Sequence, residues 1–219
     1  MLNKRLETIL SLCDKQDRIA DVGCDHAFLA IELINKNIAK HVYASDIAMG
    51  PLNIAKNNVK NAKLENRIDC ILSDGLKNVP DDANAIVIAG MGYHTACKIL
   101  TDQYKRLDKF SYIIVQINSD VPLFREWLSD HHATIIDERI VFDHKYYTII
   151  KFNMDHHEEY DLEQIVFGPI LLLNKDQVFK EYYQKELAKY QFIYQKITND
   201  DKRKKEVLEM MEMIQKVLQ

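Results

Sequence analysis

Between residues 17 and 152 the chain alternates short apolar runs with longer amphipathic stretches. The runs are Arg18–Val22, Val42–Ile47, Ile68–Ser73, Ala85–Ala89, Tyr112–Gln116, Ala133–Phe142 and Tyr146–Phe152. Four of them are nearly continuous in apolar residues, the mark of strands covered on both faces. Between them, helical spacing predicts helices over 3–13, 26–37, 51–63, 94–103 and 121–131. Strand–helix alternation at these lengths predicts right-handed βαβ units, a parallel sheet and an α/β fold. The last two runs are separated only by Asp143-His144-Lys145, which predicts an antiparallel hairpin closing the sheet.

The pattern changes after residue 152. Residues 155–174 carry an acidic segment and then Val166-Phe167-Gly168-Pro169-Ile170-Leu171-Leu172-Leu173, with no assignable period; we read the stretch as a connector docked on the domain. Beyond it, Phe179, Tyr183, Tyr190, Ile193 and Ile197 recur at helical spacing. After the polar turn Thr198-Asn199-Asp200-Asp201 a second series follows: Val207, Met211, Ile214 and Leu218. Two amphipathic helices joined by a polar turn predict an antiparallel, coiled-coil-like hairpin. The expected division is a Rossmann-like domain over 1–153, a connector over 154–174 and a helical hairpin over 175–219.

Charge refines this picture modestly. The net charge of −4 does not advertise nucleic-acid binding. Its distribution says more: residues 153–174 hold five acids and no Lys or Arg, while 175–219 hold ten basic and eight acidic residues. The four cysteines, Cys13, Cys24, Cys70 and Cys97, form no C-x-x-C pair, so neither a metal site nor a disulfide framework is expected. No apolar run is long enough to span a bilayer, and the first residues lack a signal peptide's apolar core. The expected compartment is the cytoplasm, and the chain is read as a monomer, with a dimer left open.

The candidate chemistry sits at the carboxyl ends of the strands. The first strand ends Asp21-Val22-Gly23-Cys24-Asp25-His26-Ala27, where Gly23 lets backbone N–H groups approach a ligand. This loop alone fits either a methyltransferase or a dehydrogenase, although the full G-x-G-x-x-G of a dehydrogenase is missing. The second strand ends Ser45-Asp46-Ile47, placing Asp46 to accept from ribose hydroxyls or, alternatively, to cap the next helix. The third ends Ser73-Asp74-Gly75, a further acid at a strand tip. Acids at 21, 46 and 74 favour one long ligand across the sheet edge, and S-adenosylmethionine, with its amino group, ribose and adenine, fits that outline. The fourth strand runs into Ala89-Gly90-Met91-Gly92-Tyr93-His94, a turn whose glycines admit close backbone approach.

The run Asp21-Val22-Gly23-Cys24-Asp25-His26-Ala27-Phe28-Leu29 closely resembles the D-[IV]-G-x-D-H-A-[YF]-L signature of the bacterial tRNA (adenine-22-N1)-methyltransferase family, TrmK. So do Ile88-Ala89-Gly90-Met91-Gly92, Arg125-Glu126-Trp127-Leu128, Tyr146-Tyr147, the early Arg5-Leu6 and the C-terminal hairpin. Three positions depart from the family habit: Tyr93 where a glycine usually follows the G-M-G, Ile117 within a usual Gln-Pro-Asn, and Ala30 where a proline is frequent. They bear on the base pocket rather than the cofactor site.

The resemblance implies a class I methyltransferase fold and methylation of N1 of adenine 22 in tRNA with S-adenosyl-L-methionine as cofactor. The cofactor set is then Asp21, Gly23, Asp46, Ile47, Asp74, Gly75, Ala89, Gly90 and Met91. Two roles are open to Asp25, stabilising the cationic adeninium or holding the cofactor's amino group. His26 would orient substrate or cap the following helix. Lys4, Arg5 and the run Lys202-Arg203-Lys204-Lys205 are candidates for phosphate contacts, and Tyr93 for stacking on the base. For the basic run, a solvated turn is an equal alternative. A methyltransferase of small molecules or proteins would share the cofactor site, and an RNA-binding adaptor would share the tail.

Overall fold

The computed structural model describes residues 2–157, 159–198 and 200–219. Seven strands, β1 (Gln16–Val22), β2 (Ala39–Asp46), β3 (Ile68–Leu72), β4 (Ala85–Met91), β5 (Tyr112–Ile117), β6 (Thr134–Asp143) and β7 (Lys145–Asn153), form one sheet in the order β3-β2-β1-β4-β5-β7-β6. The first five are mutually parallel; β7 runs antiparallel between β5 and β6. All seven expected strands are present, and the last two form the expected hairpin.

Alternation along each strand divides the core. Ala20, Val22, Ile86, Ile88, Ile113 and Val115 face one layer; Ile19, Val42, Ala85, Val87 and Ile114 face the other. The first layer is closed by α4 (Tyr93–Asp102) and α5 (Val121–Asp130), the second by α1 (Lys4–Leu12), α2 (Phe28–Asn35) and α3 (Met49–Asn61). Burial on both faces explains why the central strands read as unbroken apolar runs.

Local chemistry sets the helix boundaries. Asn3 caps α1 by accepting from the Leu6 N–H at 2.9 Å. The α2 helix begins two residues later than its periodicity predicts, because Asp25 (φ 51°) and Ala27 (φ 58°) adopt left-handed backbone that a helix cannot include. Its N-cap is Ala27, with no side-chain cap, so His26 does not cap it. The α3 helix starts earlier than expected and takes Pro51 into its first turn, where a missing N–H costs nothing. A 3-10 turn over Tyr104–Lys109, not foreseen, leads into β5.

The connector contains two short helices, α6 (Leu162–Phe167) and α7 (Pro169–Asn174), meeting at Gly168. Their junction packs on a buried ion pair: Arg125 Nε lies 2.7 Å from Glu138 Oε1, with side chains 2% and 0% exposed. Arg125 also donates to the Ile165 and Val166 carbonyls, and Glu138 accepts from the Ile170 N–H at 3.1 Å. A Cβ at Gly168 would lie 2.5 Å from Glu138 Oε2 and 2.7 Å from Arg125 Nη2, so only glycine fits at this φ of 94°.

The hairpin, α8 (Gln177–Lys196) and α9 (Asp201–Leu218), attaches through a third core of Ile140, Phe167, Leu171, Phe179, Tyr183, Ile214 and Val217. Lys185 adds cation–π contacts to Phe142 and Tyr146 on the β6–β7 hairpin. Of the expected turn, Asp200 caps α9 by accepting from the Arg203 N–H, while Asn199 lies outside the described residues. No helix among the described residues is long and apolar enough to cross a membrane.

Candidate functional site

Parallel strands deliver their carboxyl ends to one edge, and there, beside the tips of β1 and β4, a cleft of about 310 Å³ opens. Its walls include Asp21 from β1, Gly23, Asp25 and His26 from the loop after it, Phe28 from α2, Ala89 and Gly90 from β4, and Arg5 from α1. The sheet thus brings together residues that sequence reading assigned to cofactor, catalysis and RNA.

The loop after β1 is shaped by alternating left-handed residues: Gly23 (φ 75°), Asp25 and Ala27. It is pinned to β2, the Gly23 and Cys24 N–H groups donating to the Ser45 carbonyl at 2.8 and 2.9 Å. Gly23 is favoured here by its φ of 75°; a Cβ would lie 2.5 Å from Met91 Cε, the mobile end of a flexible side chain that could shift aside.

Asp21 lies beneath this loop, 3% exposed, and its Oδ2 has no hydrogen-bond partner among the described residues. Burial, with smaller contributions from the carboxylates of Asp46 and Asp25, pushes its carboxyl up to about 7, against the pull of the Ala30 backbone N–H. An orphaned buried carboxylate oxygen is costly, and a cationic ligand group would relieve it. Asp46 accepts from the Ala48 N–H at 2.9 Å and the Asp25 N–H at 3.3 Å. It is therefore not the cap of α3, whose N-cap is Ala48. Beside it Ile47 is 68% exposed at the strand tip.

Asp74 and Gly75 stand one strand further out and do not line the cleft. Asp74 is paired with Lys77 on its own turn, which lowers its carboxyl below the usual range. Gly75 packs its backbone on Ile99, leaving room for little more than a hydrogen there.

The opposite wall is a polar network that sequence reading missed. A register shift in β4 between Ala89 and Met91 lifts out Gly90, whose N–H donates to Gln116 Oε1 at 3.0 Å. Arg5 Nη1 donates to the same oxygen at 2.7 Å, and Asn118 Nδ2 donates to the Gly90 carbonyl at 2.8 Å. Gln116 is fully buried, a polar residue inside an apolar run and the one signal that could have found it. Arg5, named from the sequence as a candidate for phosphate contact, reaches into the cleft, its guanidinium 5.5 Å from the centre of the Tyr147 ring. Among the described residues it has no carboxylate partner within salt-bridge distance of its side chain. Lys4, one residue earlier, is exposed.

Asp25 has a side chain 74% exposed, with Oδ1 3.4 Å from His26 Nε2. Tyr93 does not take the expected stacking position. As the first residue of α4 it packs against the buried core with Cys97 and lines no part of the cleft, because α4 turns that face toward the sheet. The basic run Lys202-Arg203-Lys204-Lys205 opens α9 at the hairpin's far end, roughly 20 Å along the helix from Tyr183 at 1.5 Å per residue, and does not line the cleft. Lys204 lies over the Tyr194 ring there, and Lys205 pairs with Glu209. Among the described residues no group of three or more His, Cys, Asp or Glu could hold a metal ion.

A methyl donor with a cationic amino group and a ribose suits this cleft. Comparison with known proteins agrees. The sequence model of TrmK, tRNA (adenine(22)-N(1))-methyltransferase, matches residues 19–219. The Bacillus subtilis tRNA (adenine(22)-N(1))-methyltransferase is 32% identical over 99% of this chain and 97% of its own length. Among solved structures, M. capricolum TrmK in complex with S-adenosyl-homocysteine superposes with a TM-score of 0.89 at 30% identity, covering 100% of both chains. A Streptococcus pneumoniae protein in complex with S-adenosyl-L-methionine superposes with a TM-score of 0.91 at 29% identity, again over 100% of both. From its β1 loop to the end of its C-terminal hairpin, the chain belongs to the tRNA (adenine(22)-N(1))-methyltransferase family.

Proposed function

We propose that this protein methylates N1 of adenine 22 in tRNA, with S-adenosyl-L-methionine held in the cleft beside β1 and β4. The observation that carries this reading is the orphaned Oδ2 of Asp21 beneath a glycine loop, in a cleft whose far wall presents the uncompensated Arg5. One wall suits a cationic amino group and the other a phosphate. A tRNA substrate puts the protein's work in the cytoplasm.

The bound cofactor supplies the methyl group; positioning and charge fall to this chain. Asp21 holds the amino group, Asp46 the ribose hydroxyls, and Ile47 offers apolar surface to the adenine, with Asp74 and Gly75 at the outer end of that site. Gly23, Ala89, Gly90 and Met91 shape the floor. N1 of adenine attacks through its own in-plane lone pair, so no general base is needed, and catalysis comes from alignment and exclusion of water. Alkylation leaves the ring cationic. The exposed carboxylate of Asp25, beside His26, is the group free to face that charge. N1 lies on the Watson–Crick edge, so the base must leave its helix to reach the cleft. Arg5, Lys4 and the basic run at 202–205 contact phosphates.

The test is mass spectrometry of nucleosides after incubation with unmodified tRNA and cofactor. The expected product is 1-methyladenosine at position 22. Methyl transfer into a small molecule or protein but not tRNA would refute the assignment, as would RNA binding without cofactor consumption.

A further inference from the structure

Large apolar side chains at the rim of a charged cleft need a partner. Two stand at this edge of the sheet, Phe28 in the cleft's wall and Ile47 outside it. Ile47, at the tip of β2, belongs to the cofactor's nucleoside end, since β2 leads outward to β3 and Asp46 lies between. Phe28 is different. It is the first residue of α2, it is 50% exposed, and it lines the cleft together with Arg5 and Gly90 on the β4 side of the loop. The residues that follow it, Leu29, Ala30, Leu33 and Ile34, are buried, so α2 had an apolar interior available and Phe28 stands outside it. His26 meets it in a T-shaped contact, centroids 5.6 Å apart at 66°, which leaves at least one face of the Phe28 ring open. Tyr93, the other aromatic candidate near the Gly90 turn, is half-buried against the core and lines no part of the cleft.

We propose that the open face of Phe28 is the surface on which the target adenine stacks, making Phe28 a substrate-positioning residue of the methyl transfer; this rests on the tRNA methyltransferase reading above. The cleft is lined by both this aromatic side chain and the backbone of Gly90, a pairing that suits a single extruded base. Arg5, whose guanidinium stands in the same cleft, is then placed for that nucleotide's phosphate.

The test compares wild type, Phe28→Tyr and Phe28→Leu. Stacking of one base on an aromatic ring is worth enough that Phe28→Leu should lower kcat/KM for tRNA by about 10- to 100-fold, while Phe28→Tyr restores it. Calorimetric affinity for S-adenosyl-L-methionine and the melting temperature should not change, since the ring is exposed and on the substrate side. A ligated tRNA carrying 2-aminopurine at the target position adds a direct readout. Its fluorescence should stay quenched in the wild-type complex and rise in the Phe28→Leu complex. Equal activity and equal quenching in Phe28→Leu, with wild type methylating normally, would overturn this inference alone. So would a loss confined to cofactor affinity. A wild-type protein that leaves tRNA unmethylated would overturn the functional reading along with it.

Discussion

If Asp21 holds the cofactor's amino group, as proposed above, it couples cofactor binding to a proton, and the size of that coupling follows from its burial. Its carboxyl titrates at about 7 in the folded protein, against about 3.9 in an unfolded chain. The raised folded value means the neutral form is favoured by folding. The resulting stability is fully present below about pH 4 and is lost as pH rises through about 7. Each pH unit between those two values removes about 1.36 kcal/mol, so the whole loss approaches about 4 kcal/mol. Asp21→Asn cannot ionise, so the difference in unfolding free energy between wild type and variant should move by about 2.6 kcal/mol between pH 5 and pH 8, the variant gaining as pH rises. Denaturant titrations across that range measure it. A cationic amino group beside Oδ2 reverses the preference and demands the ionised form. At pH 6 the free carboxyl is about 0.9 protonated, so binding should release nearly one proton per cofactor. Calorimetry in buffers of different ionisation enthalpy counts that proton directly. A stability difference flat from pH 5 to 8, together with proton-neutral binding, would refute the placement of the amino group on Asp21.

Three further outcomes are expected. Asp25→Asn should retain cofactor affinity while lowering single-turnover methylation at saturating cofactor and tRNA by about 10²–10³-fold, as loss of one electrostatic group in a transition state does; if saturating cofactor restores the rate, Asp25 holds the donor instead. Arg125→Ala strands the buried Glu138 carboxylate and should cost about 3–5 kcal/mol, read as a Tm lowered by roughly 6–20 °C in thermal melts; a change of one or two degrees would mean the pair is not as closed as its geometry implies. Neutralising Lys202, Arg203, Lys204 and Lys205 should flatten the salt dependence of tRNA binding and leave cofactor binding intact; an unchanged salt slope would make the run a solvated turn.

The sheet was legible in the sequence because its central strands are covered on both faces, which turns burial into unbroken apolar runs such as Ala85–Ile88. The cleft's acids Asp21 and Asp25 were legible because the tip of β1 carries its own punctuation in Gly23. What could not be read depended on contacts between distant residues. Helices α6 and α7 span six residues each, too short to show a period, and their junction at Gly168 is fixed by Arg125 and Glu138 from other elements. Arg5 looked like any basic residue of an N-terminal helix; its place in the cleft comes from Gln116, more than a hundred residues away. Tyr93 lies off the cleft for a related reason. Adjacency to a functional turn in sequence says nothing about which side of the sheet the next helix faces.

The Gly168 elbow has a geometric consequence. Because a buried ion pair and a third apolar core clamp the base of the hairpin, its tip stands at a set reach from the cleft, with α8 about 30 Å long at 1.5 Å per residue. Such an arm works as a ruler. If the tip grips one part of tRNA and the cleft accepts a base at another, the adenine is chosen by its distance along a folded RNA rather than by neighbouring sequence. Removing one heptad from both α8 and α9 should then move methylation to another position or abolish it, while an unchanged product site would show that the arm does not measure.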